Sequence, residues 1–244
     1  MNPKLRILTL GSAALFVVLG AASNSNAVTV TVDPGTLTLG YMNVFNLPAT
    51  ANPPGNGAFQ FGSSWGVGDL TSSFSGTTLT LGPNLINDTN SYWYSSGGPS
   101  PSGYVGAKIM DANLYNETTG VYVGTTLTFT GNVLHNTLGG SVNSWNNTTW
   151  STVAFIKDFA PDYSSFTTST AVLTPGTFSI SLATSANPGD HVQYGFEVMG
   201  SDVWSTDANL FGNVVITPVP EPSTLALAGL GGVAALSFIR RRKQ

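Results

Sequence analysis

The chain has no cysteine. Disulfides, thiolate metal sites and a cysteine nucleophile are therefore excluded, and stability must come from sheet hydrogen bonding and an apolar core. Charge is the second scarcity: charged residues make up 8% of the 244, against about 25% in ordinary soluble domains. This is not the composition of a disordered chain, which combines low hydrophobicity with high net charge. Here 41% of residues are hydrophobic and 11% aromatic, enough to build a core. Histidine is limited to His135 and His191, so little imidazole chemistry is on offer. Basic charge is scarce away from the ends. Between residues 28 and 219 only Lys108 and Lys157 oppose eleven carboxylates, a net charge of −9. A phosphate-rich partner is disfavoured by that field, and no nucleic acid binding is expected.

What is present at the two ends reads as addressing. Lys4 and Arg6 precede a largely apolar stretch, 7–22, and Ser25, Asn26 and Ala27 place small residues at the −3 and −1 positions of a secretory signal. Residues 1–27 are thus expected to be a signal peptide cleaved after Ala27, in preference to an uncleaved anchor helix. At the other end, Pro220-Glu221-Pro222 is followed by a run without charge, 223–239, and then by Arg240, Arg241, Arg242 and Lys243. Prolines on both sides of Glu221 favour an extended backbone. Ser223 or Thr224 then caps a helix just long enough to span a bilayer. The basic end stays cytoplasmic under the positive-inside bias, which puts the preceding domain outside the inner membrane.

These three parts in this order closely resemble the PEP-CTERM sorting domain of bacterial proteins. The resemblance implies a tail over 218–244, with its motif at 220–222, processed by the membrane enzyme exosortase. It also implies a transient inner-membrane anchor, followed by delivery to the cell envelope or an exopolysaccharide matrix.

The middle, 28–217, is expected to be a single all-β domain. Short runs of alternating or β-branched residues, bounded by Gly, Pro, Asn and Asp, predict strands over 28–32, 36–44, 59–61, 77–81, 104–114, 121–134, 152–158, 177–182, 191–199 and 213–217. Roughly ten strands without helices favour a two-sheet antiparallel sandwich of jelly-roll type. In 191–199 the alternation predicts Val192, Tyr194, Phe196 and Val198 in the core, with Gly195 marking a bulge or a close backbone approach. Thr36-Leu37-Thr38-Leu39-Gly40 recurs at 78–82, which reads as a common strand ending in a glycine turn and not as a solenoid repeat. The later strands resemble those of jelly-roll carbohydrate-binding modules.

Catalytic and metal chemistry stay at background. Asp190 and His191 are adjacent and would point to opposite strand faces, so they form no triad. Asp111, Glu117, Asp158, Asp162 and Glu197 are carboxylates of the type a glycosidase pairs, without a motif to pair them. The oxygen-rich loops 87–90 and 202–207 are explained by Asx turns more readily than by calcium. No catalytic residue, metal ligand or cofactor is assigned. Sugar recognition uses aromatic faces beside amides and hydroxyls, which Tyr92, Trp93 and Tyr94, and Trp145 and Trp150 around Asn146-Asn147-Thr148-Thr149, offer by type. Trp93 and Trp145 are the preferred exposed candidates. The expected function is an exported, non-enzymatic β-sandwich that binds extracellular polysaccharide; a purely structural matrix protein and a secreted glycan hydrolase are the alternatives.

Overall fold

The computed structural model describes residues 26–219. The expectations for residues 1–25, for Pro220, Glu221 and Pro222, for the span 223–239 and for Arg240, Arg241, Arg242 and Lys243 fall outside those residues.

The strands in chain order are β1 (Ala27–Thr31), β2 (Leu39–Asn46), β3 (Phe59–Ser64), β4 (Ser72–Ser75), β5 (Thr78–Leu81), β6 (Tyr94–Ser96), β7 (Tyr104–Gly106) and β8 (Lys108–Thr119). They continue with β9 (Thr126–Asn136), β10 (Val142–Asn143), β11 (Thr148–Thr149), β12 (Ser151–Phe159), β13 (Phe166–Val172), β14 (Gly176–Ala183), β15 (His191–Ser201) and β16 (Val214–Thr217). Helical structure among the described residues is confined to two 3-10 turns, Val67–Leu70 and Ser205–Leu210.

Two six-stranded sheets form the body. The first runs β1-β9-β16-β5-β4, with β14 on the other edge of β9; the second runs β13-β12-β15-β8-β2-β3. Pairing is antiparallel throughout the second sheet. The two-sheet antiparallel sandwich is thus what the chain forms, with one parallel pair in the first sheet: β1 runs parallel to β9, from Ala27 opposite Thr126 to Thr31 opposite Thr130. Beyond it, β16 pairs with Asn132 to Asn136 of the same strand. Since β14 covers the far edge of β9 from Thr126 to Val133, β1 and β16 lie end to end along the near edge.

Alternation decides which side chains fill the space between the sheets. Met42 and Val44 of β2, Met110, Ala112 and Leu114 of β8, Ala154 and Ile156 of β12, and Val192, Tyr194, Phe196 and Val198 of β15 face Leu79, Leu127, Phe129, Phe178, Ile180, Val214 and Ile216 of the first sheet, all in one buried cluster. Phe129 is the hub: its ring centroid lies 5.3 Å from Phe178, 5.2 Å from Tyr194 and 5.2 Å from Phe196. Each such ring removed from water contributes about 1.5–3 kcal/mol.

Gly195 has the close-approach role and no bulge. It sits in register between Tyr115 and Phe155, where a Cβ would lie 2.0 Å from the Leu114 carbonyl oxygen. The recurring pentapeptide is not a repeated strand. Thr78–Leu81 is β5, whereas residues 36–38 lie in a turn and loop whose Leu37 plugs the core, and pairing starts only at Leu39.

Candidate binding face

The outward positions of the second sheet carry the chemistry. On β2, β8 and β15 the residues that alternate with the core are Tyr41, Asn43 and Phe45; Ile109, Asp111, Asn113, Tyr115 and Glu117; and Gln193, Gly195, Glu197 and Met199. Strand register brings them together from distant parts of the chain: Asn43 lies opposite Asp111, Asn113 opposite Glu197, and Glu117 opposite Gln193, which is itself opposite Lys157 of β12.

Two neighbouring polar clusters result. Asn43 Nδ2 donates to Asp111 Oδ2 at 2.9 Å and Asn113 Nδ2 to Asp111 Oδ1 at 2.8 Å. Lys157 Nζ donates to Asn113 Oδ1 at 3.0 Å and lies 3.5 Å from Glu197 Oε2. Glu117 accepts from Gln193 Nε2 and, at 3.0 Å, from the Tyr163 hydroxyl. Burial holds the carboxyls of Asp111 and Glu197 above the usual range; Asp111 adds to the rise at Glu197, while Lys157 opposes both. Burial and the Glu117 carboxylate push the Tyr163 hydroxyl up to about 12.

Gly195 places no side chain at the centre of this face, where Phe155 of β12 lies opposite it, fully buried, with the Lys157 ammonium 4.1 Å from its ring centroid. A Cβ on Gly62 of β3 would sit 2.7 Å from Asn43 Oδ1 and 2.8 Å from the Tyr41 hydroxyl, so the network residues are half-buried and Asn113 is buried. At one end the polar network gives way to an apolar trough of about 500 Å³, lined by Phe45, Ile109, Met199, Pro48, Thr149 and neighbours. A largely apolar hollow beside a few placed amides and carboxylates is the composition of a small-molecule or sugar site.

The aromatic residues singled out in the sequence lie elsewhere. Trp150 is 1% exposed and Tyr94 1% exposed, so neither presents a ring to a ligand. Trp150 packs against Phe211, with centroids 4.6 Å apart, and against Gly200. Tyr94 donates to the Val203 carbonyl at 2.9 Å. Trp145 is half-buried edge-to-face on Phe211, 5.0 Å away. Trp93 is half-buried between Phe61 and Tyr92, and Tyr92 is exposed beneath the Lys108 ammonium, 4.1 Å from its ring centroid. Tyr92 and Trp93 thus stay together beside the start of β8, where the Trp93 carbonyl accepts the Ala107 N–H at 2.8 Å, apart from Trp145 and Trp150. Large aromatics went inward because the interior between two sheets is where their area is removed from water.

The remaining sequence candidates resolve locally. His191 Nδ1 is 2.7 Å from the Thr119 hydroxyl, and its ring stacks on Tyr163 at 4.4 Å. His135 Nε2 meets Asn213 Oδ1 at 2.7 Å. In the loop 87–90, Asp88 accepts from the Asn90 N–H and Asn90 from the Tyr92 N–H, both at 2.9 Å, as Asx turns do. Asp158 is directed inward to the Ser185 N–H at 2.7 Å, and Asp162 closes a turn with Ser164. Among the described residues no three His, Cys, Asp or Glu side chains gather as a metal cluster.

The chain leaves this domain at Thr217, and there the comparison with known proteins begins. The family of the PEP-CTERM protein-sorting motif matches residues 218–243. The chain carries a PEP-CTERM sorting tail. It is therefore an exported protein with a transient C-terminal membrane anchor, sorted through exosortase. The PEP-CTERM tail starts at the first residue after β16, with no intervening linker domain. No curated protein and no solved structure matches the chain.

Proposed function

We propose that this PEP-CTERM protein is a non-enzymatic module that binds an uncharged polysaccharide in the cell envelope or extracellular matrix, using the outer face of the second sheet. The observation that carries the reading is the pre-organised, half-buried network Asn43-Asp111-Asn113-Lys157-Glu197 beside an apolar trough on one face. Amides and carboxylates suit sugar hydroxyls, and the trough suits the apolar face of a ring. Three carboxylates against one lysine disfavour uronate or sulfate polymers.

Both Asp111 oxygens and both Glu117 oxygens already accept hydrogen bonds. That favours recognition over proton transfer. A hydrolase reading draws on Asp111 and Glu197, two carboxyls raised on one face as acid-base pairs are. It requires turnover that Glu197→Gln abolishes.

The test is retention of the exported form on insoluble neutral polysaccharides, with acidic polysaccharides beside them. Gln193→Ala combined with Tyr41→Ala is expected to weaken retention by about tenfold, corresponding to ~1.4 kcal/mol, without altering the unfolding transition. Trp145→Ala leaves retention per folded molecule unchanged. Absence of wild-type retention on every neutral polymer overturns the proposal.

A further inference from the structure

We infer that, while the tail is in the membrane, the outer face of the first sheet lies against the lipid surface and the opposite face, with its polar network, is directed away from it. Two independent observations carry this orientation.

The first is chain length. β16 ends at Thr217 and the uncharged span begins at residue 223, so six residue steps, about 20 Å fully extended, separate the sheet from the bilayer. The headgroup layer takes about 5–8 Å of that. What remains is close to the depth of one layer of side chains and loops. The domain is too tightly tethered to rotate freely over the surface.

The second is where the chain can leave. β16 runs head-on toward β1 along the same edge of β9, with Thr217 opposite Asn132 and Thr31 opposite Thr130. The path along the sheet is closed by β1. The path inward is closed by Val32, 1% exposed, and by Phe178, whose ring would be 2.5 Å from a Cβ on Gly131. Prolines at 218, 220 and 222 lack the N–H that would extend the ladder. The ways left are the outer side of the first sheet and the flank of β1 that no strand pairs, and of these the tail is assigned to the outer side.

The composition of that outer side fits a lipid surface. Its outward positions are mostly small hydroxyl residues, among them Thr29, Thr78, Thr128, Thr130, Ser179 and Ser181, with Asn132, Leu134, His135 and Val215 beside them, and no strand of this sheet carries Asp, Glu, Lys or Arg. The domain's excess of carboxylates lies elsewhere, with Asp111, Glu117 and Glu197 on the opposite face. An uncharged face meets headgroups without the repulsion that an acidic face would suffer at an anionic leaflet. The occupant is thus the bilayer surface itself, and the face proposed for binding points away from it before the tail is cut.

The absence of cysteine makes the test direct. Ser179→Cys, on the outer side of β14, and Thr170→Cys, on the outer side of β13, each receive a fluorophore in the full chain reconstituted into phosphatidylcholine vesicles carrying nitroxide-labelled lipid. Quenching at residue 179 is expected to exceed that at residue 170 several-fold. Inserting fifteen Gly/Ser residues after Thr217 should remove the difference. Equal quenching at the two positions of the native-length chain, or stronger quenching at residue 170, overturns the orientation. A difference that survives the insertion overturns the tether as its cause. No polysaccharide is present, so failure of the binding proposal would leave this readout untouched.

Discussion

At the scale of single residues, the buried polar groups set the sharpest expectations. Asp202 is fully buried; its Oδ1 accepts the Lys108 N–H at 3.1 Å, and burial raises its carboxyl well above the normal range. A carboxyl with a raised folded-state pKa binds protons more tightly folded than unfolded. Its contribution to stability is therefore lost as pH rises from the unfolded value, about 3.9, through the folded one. Asp202→Asn keeps an acceptor oxygen and removes the charge, so its stability relative to wild type should rise between pH 4 and pH 7. Urea unfolding at both values checks this, and a pH-independent difference contradicts it. Packing gives a second expectation. A Cβ on Gly200 would lie 2.0 Å from Trp150 Cδ1, so Gly200→Ala should destabilise by about 1–3 kcal/mol through overpacking, read from the same unfolding curves.

At the scale of elements, legibility followed side-chain alternation. β15 was readable because Val192, Tyr194, Phe196 and Val198 alternate with polar residues and are all buried. Its Gly195 was readable as a close approach for the same reason. β13 was not, because Phe166–Val172 is an edge strand whose Thr and Ser residues carry no apolar stripe. The first copy of Thr-Leu-Thr-Leu-Gly was misleading because local propensity was overridden by Leu37 entering the core from a loop. The proposed binding face was not legible for a different reason. Asn43 and Asp111 are 68 residues apart, Lys157 and Asn113 44 apart, and only strand register joins them. The outward positions of 104–114 and 191–199 held the signal, namely Asp111, Gln193 and Glu197, without the pairing that gives it meaning. Within the first sheet β9 joins three strands, β1, β14 and β16, and Phe129→Ala on it should cost about 3–5 kcal/mol. A loss under 1 kcal/mol in thermal or urea unfolding would contradict its place at the hub.

At the scale of the whole molecule, the two faces divide the work: the tail leaves through an uncharged hydroxyl-rich sheet, and the polar network occupies the other. Delivery predicts a defined product. Mass spectrometry of the cell-surface form should show a chain that begins at Val28 and lacks the residues beyond the Pro220 motif; an intact C terminus on that form would contradict processing of the tail. Cleavage after Ala27 removes only the first residue of β1, leaving Val28 to Thr31 to pair with β9. The central claim concerns which face meets the ligand, and the side-chain amide resonances of Asn43, Asn113 and Gln193 report on it directly. In an NMR titration with a neutral oligosaccharide, those resonances should shift together while the indole N–H signals of Trp93 and Trp145 stay in place. Shifts confined to the indoles, with the three amides unmoved, would contradict the account.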